Sequence, residues 1–500
     1  MSLKRILILR MKALIVFAAT LMVALSALAL FFWRSYDLIP EGRFHPWGLY
    51  YQARGLPVHP FVPVDEEHPI ALEVWSSDLP IRRSHELSYA ESFQKVATMF
   101  QNKHFNAKIK CQLFPFHDDM VALVKARLGE NSWPDICISP FDPELIDPQR
   151  SVPLTAFFPR FPVDEAISYD PLALGAVTFD RQIWAWPMWF EVPCLIGNVK
   201  MLREIGLDAH RIVESGWSWD EFIAMGMKMR GNQEEGVGVK PPRIVSLALN
   251  SRDPDYAKCL LATRFPAGLV MPDGKPGWTM QGLEELANFL ASLRDQGRIF
   301  VPQGNAPDGI ISLFWEGRAI TIGPAWSGLM RHVKARYKQK KSESIQTIFL
   351  PIPHYPGIPY QLPLRVTAAM VYMKRTSDWK ERARLAVEFI QELSRNETIW
   401  VAAKLNTVPV KFSDRPGWQE AISLSYEENA LLAASTRAPR AEPSASAPDI
   451  SGTRTARLLE KDILNHVVIP SLEKFWTGAL SAQKLAAIID EEARKMLESR

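Results

Sequence analysis

LFWEGRAITIGPAWSGL, residues 313–329, decides how the rest of this 500-residue chain is read. Phe314 and Trp315 close a segment with helical spacing, and Glu316-Gly317-Arg318 turns the chain. The apolar run Ala319-Ile320-Thr321-Ile322 then predicts a buried strand that stops at Gly323-Pro324. Helix, glycine turn and strand in that order form one unit of an α/β domain. Trp326 stands just beyond, where strands of an open α/β sheet give out and ligands settle in a crevice. A core Trp after an ordinary helix-turn-strand unit is the competing reading, because a fold does not fix a function.

Upstream, strand-like and helical periods alternate. Ile70 to Trp75 reads as an apolar strand, Phe93, Val96, Ala97, Met99 and Phe100 have helical spacing, and Ala107 to Phe114 is a second strand. Met120, Leu123, Val124 and Leu128 mark a helix, and Trp133-Pro134-Asp135 leads into a third strand through Ser139. This β-α-β-α-β order predicts a parallel sheet with helices on its faces. Pro134 restricts the residue before it and ends the helical run, while Asp135 is placed to cap or brace the strand entrance. Ser218 and Glu221 predict a capping box, and Gly206 is placed to end a short helix. Downstream, Val366 to Tyr372 reads as a strand and Ala383 to Leu393 as a helix, with Ala434 to Pro448 a low-complexity surface loop.

Composition narrows the class. With 47% hydrophobic and 23% charged residues the chain is globular and long enough for two or three domains, and its net charge of +3 calls for no nucleic-acid partner. The basic run at Lys334, Arg336, Lys338, Lys340 and Lys341 reads as a solvated helix face. Cys111, Cys137, Cys194 and Cys259 show no CxxC spacing, so neither a metal nor a cofactor is expected. In an exported compartment they permit disulfides, with three ways to pair all four; buried free thiols on strands fit equally well.

Residues 1–34 are a targeting segment. Lys4, Arg5, Arg10 and Lys12 precede a charge-free run from Ala13 to Phe32, about 20 residues and long enough to span a bilayer. Ala27-Leu28-Ala29 offers a signal peptidase its small-x-small site, but the apolar run continues past it, which favours an uncleaved anchor. The positive end stays inside and the rest is exported. Residues 35–67, rich in Pro and aromatics without periodicity, read as a linker lying against the domain.

These motifs, in this order, resemble the extracellular solute-binding proteins of ABC importers, in particular the sugar-binding family that includes maltodextrin-binding proteins. Beyond residues 313–329, the resemblance rests on Gly129 to Asp135, on Trp184-Ala185-Trp186-Pro187 with Trp189-Phe190-Glu191, on Trp217 to Phe222, on Ile348 to Pro353 and on Leu405 to Val410. It spans roughly 68–495. Three departures stand out: the Gly129 to Asp135 step is two residues longer than usual, Ala185 replaces a glycine, and Ile196-Gly197 replaces an aromatic pair. The resemblance implies an α/β two-lobe periplasmic-binding-protein fold with a hinged cleft, preceded by the transmembrane helix or signal segment. Lobe 1 is then expected at 68–186 plus 358–412 and lobe 2 at 187–357 plus 413–500, with crossovers at Trp184 to Glu191, Pro351 to Pro363 and Val408 to Phe412.

By the same resemblance, a sugar or oligosaccharide is the expected ligand, ABC permease transmembrane subunits the partners, and the membrane is met through residues 13–32. Loops at the carboxyl ends of strands select Trp75, Asp78, Phe141 and Asp142 from the first lobe and Trp189, Glu191 and Trp326 from the second, with Arg365 where the chain re-enters the first. Two other functions compete. A tethered sensor would use the same closure to signal, and a glycosidase would need two carboxylates about 5 to 9.5 Å apart, which Asp78, Asp142 and Glu191 are able to supply. No HExxH, P-loop, GxGxxG or nucleophile elbow points to catalysis, so no catalytic residue is assigned.

Overall fold

The computed structural model describes residues 20–22, 55–83, 87–115, 120–130, 132–158, 169–231, 245–248, 254–296, 298–301, 307–327, 345–355, 364–422, 432 and 453–499. The apolar run at 13–32, apart from an exposed helical turn at 20–22, lies outside these residues, as do the basic run at 334–341 and the segment 434–448. Among the described residues no helix is long and apolar enough to cross a membrane.

Strands follow in chain order as β1 (Ile70–Asp78), β2 (Ala107–Pro115), β3 (Ile136–Pro140), β4 (Thr178–Phe179), β5 (Gln182–Ile183), β6 (Ala185–Glu191), β7 (Pro193–Asn198), β8 (Val245–Ala248), β9 (Ile299–Phe300), β10 (Ala319–Trp326), β11 (Thr347–Leu350), β12 (Arg365–Val371) and β13 (Val408–Pro409). They form two main sheets, in the orders β13-β6-β12-β3-β1-β2 and β11-β7-β10-β8-β9, and a small β4-β5 hairpin. Each sheet anchors one lobe. In the first, β2 and β3 flank β1 in parallel, as the strand-helix alternation requires. β12 runs antiparallel between β3 and β6, so β6 ends at the same edge as β1 and β3. In the second, β8 lies parallel to both β10 and β9, and β7 lies antiparallel to β10 and β11.

The first sheet is covered by helices. Helix Tyr89–Lys103 packs on the long helix Trp379–Leu405 through Phe93 and Phe100, whose rings meet Phe389 edge-on at 6.1 and 5.3 Å. Asp135 braces the strand entrance as expected: its Oδ2 accepts the Glu73 N–H at 2.8 Å and pairs with Arg382 at 3.1 Å. The second lobe adds a helical layer, Met280–Asp295, Arg454–Ile463, Ile469–Trp476 and Ala482–Glu498, that buries Leu286, Leu290, Leu472 and Ile489 together. One π-helical turn, Leu464–Val468, precedes Pro470, which has no N–H to continue the α-helical ladder. The capping box at Ser218 forms, with N–H groups donated in both directions at 2.8 and 3.2 Å. All four cysteines are free thiols.

Four expectations are corrected. β10 does not stop at Gly323-Pro324: its register shifts between Ile322 and Ala325 and then resumes, pairing Trp326 with Pro193. A bulge tolerates a proline that cannot donate to the ladder. The boundary set at 186/187 moves to Val192, because residues through Glu191 remain paired with β12 in the first sheet. Val408 to Phe412 is not a crossover, since β13 pairs with β6 and helix Arg415–Ala421 packs against Trp379–Leu405. The buried pair of Arg415 with Asp170, 2.7 Å apart, fastens this segment to the first lobe. Finally, the helix read from 383 to 393 runs for 27 residues, Trp379–Leu405.

Candidate ligand-binding cleft

Strand direction aims the site residues. β1, β3 and β6 end, and β12 begins, at one edge of the first sheet, which places Asp78, Phe141, Asp142, Glu191 and Arg365 along that edge. β8, β10 and β11 end, and β7 begins, at one edge of the second sheet, with Trp326 opposite Pro193. Only Val192 separates β6 from β7, so the two carboxyl edges meet at this crossing, where open α/β sheets bind ligands. Ser327 pins the crossing: its N–H donates to the Val192 carbonyl at 3.1 Å and its hydroxyl accepts the Val192 N–H at 3.4 Å. The sequence reading overlooked Ser327; the available signal was a hydroxyl directly after a strand end.

Three expected residues come together beside this crossing. Arg365 and Glu191 are cross-strand partners, with the guanidinium 3.7 Å from the carboxylate. Phe141 donates its N–H to the Val366 carbonyl at 2.7 Å, and its half-buried ring stacks on Phe179 at 5.9 Å. The backbone of Trp326 reaches the same place through Pro193, while its side chain lies outside the described residues. Asp78 is exposed at the end of β1. Beside Glu191, burial first and the Glu191 carboxylate second push the Cys194 thiol well above the usual range.

The other three sit differently. Trp75 is only 3% exposed, donates its indole N–H to Glu73 at 2.9 Å and lies edge-on to Phe114, all marks of a core residue. Trp189, also 3% exposed, is buried on β6, paired with β12 on one side and with the edge strand β13 on the other. Asp142 caps a short 3-10 turn, Pro143–Leu145, by accepting the Glu144 N–H at 2.8 Å, and its other oxygen meets Lys461 at 2.5 Å. A carboxylate and a guanidinium on one rim, with an aromatic ring next to them, offer charge-assisted hydrogen bonds and an apolar face to a small polar ligand.

A family model described as bacterial extracellular solute-binding protein matches residues 95–411. The chain belongs to this family. Its folded part therefore works outside the cytoplasm, in a family of binding proteins. Solved structures with the same fold include UgpB from Mycobacterium tuberculosis in complex with glycerophosphocholine (TM-score 0.61, 16% identity, covering 86% of this chain and 99% of that one). The GacH receptor of Streptomyces glaucescens, solved unliganded and with acarbose, gives a TM-score of 0.57 at 16% identity over 86% of this chain and 98% of its own. The maltose/maltodextrin-binding domain MalE from Bdellovibrio bacteriovorus, bound to maltotriose, gives 0.55 at 16% identity over 86% and 100%. No curated protein matches the chain in sequence. At such identities the likeness speaks for the fold of this solute-binding protein, a mixed α/β pair of lobes around a cleft.

Proposed function

We propose that this solute-binding protein takes a sugar or oligosaccharide into the cleft between its lobes and passes it to the membrane subunits of an ABC importer. The observation that carries the reading is the meeting of Glu191, Arg365 and Phe141 at the Val192 crossing. Glu191 would accept hydrogen bonds from ring hydroxyls, Arg365 would donate to them, and the Phe141 ring would lie against the apolar face of the sugar. Asp78 and Trp326 complete the proposed set from the two rims. Trp75 and Trp189 would support the site from the core without touching ligand. The maltotriose and acarbose held by the MalE domain and GacH support this ligand class. The glycerophosphocholine held by UgpB makes a phosphodiester the natural comparison. Residues 13–32 would tether the protein to the outer face of the membrane, so that it fractionates with membrane and resists carbonate extraction.

Thermal melting of the protein with maltotriose, acarbose and glycerophosphocholine tests the reading. A rise in Tm with either sugar, lost in Arg365→Met, is expected. The Arg365–Glu191 pair is half exposed and worth no more than about 1 kcal/mol of stability, so the variant without ligand should melt close to the wild type. Absence of any shift across an oligosaccharide panel would sink the sugar assignment, and a shift with glycerophosphocholine alone would move the ligand to another class.

A further inference from the structure

Lys461 joins parts of the molecule that the chain itself does not connect. Its ammonium lies 2.5 Å from Asp142 and 3.0 Å from Glu144, and Lys125 holds Glu144 from the other side at 2.5 Å. Lys461 belongs to helix Arg454–Ile463, whose Ala456, Leu459 and Ile463 are buried in the helical layer of the second lobe. Asp142 and Glu144 belong to the first lobe: Leu145 beside them is buried in its core, and the Leu145 carbonyl accepts the Tyr372 hydroxyl at 3.1 Å. A second tie runs alongside, from Arg454 Nε to the Pro143 carbonyl at 3.2 Å.

From this arrangement we infer that Lys461, with Asp142 and Glu144, is a non-covalent latch between the lobes that favours the conformation in which they touch and thereby sets how readily the cleft opens. Each half of the ion pair is fixed to a different rigid body, so rotation about the Val192 crossing cannot leave contacts of 2.5 and 3.0 Å intact. The side chains are 33%, 20% and 24% exposed, enough shielding from water to make the attraction count for more than in a free surface pair. Contacts with Lys125 and Lys461 hold the Glu144 carboxyl below its ordinary value, and Asp142 and Glu144 raise the Lys461 ammonium even though burial works against its charge. The latch accounts for Asp142 in this sequence: its carboxylate is engaged by Lys461 and takes no ligand role here.

The inference rests on the reading that the lobes move as two bodies, and its main test needs no ligand. Small-angle neutron scattering of the full chain in contrast-matched detergent reports the radius of gyration without sugar. Lys461→Met keeps the apolar stem and removes the charge, and Lys461→Arg keeps the charge. We expect Lys461→Met to expand the protein relative to wild type while Lys461→Arg stays compact, and salt near 1 M, where the Debye length falls to about 3 Å, to expand the wild type more than Lys461→Met. Far-UV circular dichroism confirms that each variant is folded. Equal radii for Lys461→Met and wild type, or equal expansion of both variants, would overturn the latch. Where maltotriose binds, Lys461→Met should weaken it up to about tenfold, equivalent to about 1.4 kcal/mol. Failure of maltotriose to bind any form would count against the sugar reading and leave the scattering result standing.

Discussion

Glu397 shows how a single buried group gives the fold a pH dependence. It lies 1% exposed on helix Trp379–Leu405, where Ser92 Oγ donates to it at 3.0 Å and Trp400 Nε1 at 2.9 Å, with Arg83 at 3.7 Å. Burial outweighs these contacts and raises its carboxyl above the ordinary glutamate value of 4.5. A raised folded value means that the folded state binds the proton more tightly. The stability contribution is therefore fully present below about pH 4.5 and is lost as pH rises through the raised value. Melting temperatures measured upward from pH 4.5 should fall more steeply in wild type than in Glu397→Gln, and parallel curves would exclude this role. Burial also explains what the sequence hid about the candidate site. In β1 Val74, Trp75 and Ser76 are buried in succession, so alternation could not tell whether Trp75 looked into the cleft or the core. Arg365 was legible as a strand end of the first lobe, whereas Trp189 and Glu191, expected on the second lobe, belong to the first sheet, because β6 stays paired with β12 through Glu191.

Among the elements, the existence of strands and helices was legible from their apolar periods, while several of their ends were not. Helix Trp379–Leu405 was read only to Leu393 because Ser394, Glu397 and Thr398, all buried, look like a solvated exit. The family resemblance implied a lobe crossing at Trp184 to Glu191, yet β6 is a strand of the first sheet there, with Pro187 accommodated at a register shift opposite Ala368. The contact between Gly268 and helix Arg454–Ile463 was equally invisible, being 192 residues apart in sequence at Glu460, and it supports a sharp test. Gly268 has φ +92°, and a Cβ there would stand 2.6 Å from Glu460 Oε1, the atom that accepts the Leu269 N–H at 2.8 Å. Gly268→Ala should lose roughly 1–3 kcal/mol in urea unfolding, from the strained backbone and the displaced carboxylate. Gly274, at φ +80° with nothing within 4 Å of its Cβ position, is the control. Gly274→Ala should lose distinctly less, and equal losses would show that the Glu460 contact contributes nothing.

For the whole molecule, the decisive question is which lobe the N-terminal segment holds. Residues 55–69 precede the stretch matched by the family model, yet they are bound to the first lobe at several points. Leu56, Val58 and Val62 are buried at 4%, 1% and 4% exposure, with Val58 in the main core. The Asp65 N–H donates to Glu381 at 3.0 Å, Asn106 donates to the Asp65 carbonyl at 2.8 Å, and Arg384 donates to the Val62 carbonyl. Residues 55–67 of the expected linker thus lie against the domain as a docked strap, residues 35–54 being outside the described residues, and every one of these contacts is with the first lobe. An anchor at 13–32 would then hold the first lobe and leave the second to swing about the Val192 crossing. Burial of three aliphatic side chains at about 1.5–3 kcal/mol each makes the strap worth at most roughly 9 kcal/mol, an upper bound because the unfolded chain already buries part of that surface. A chain starting at residue 69 should therefore unfold in urea at a clearly lower concentration than one starting at residue 55. Identical midpoints for the two shortened chains would mean that the strap adds no stability, and with it would go the reason to regard the first lobe as the fixed one.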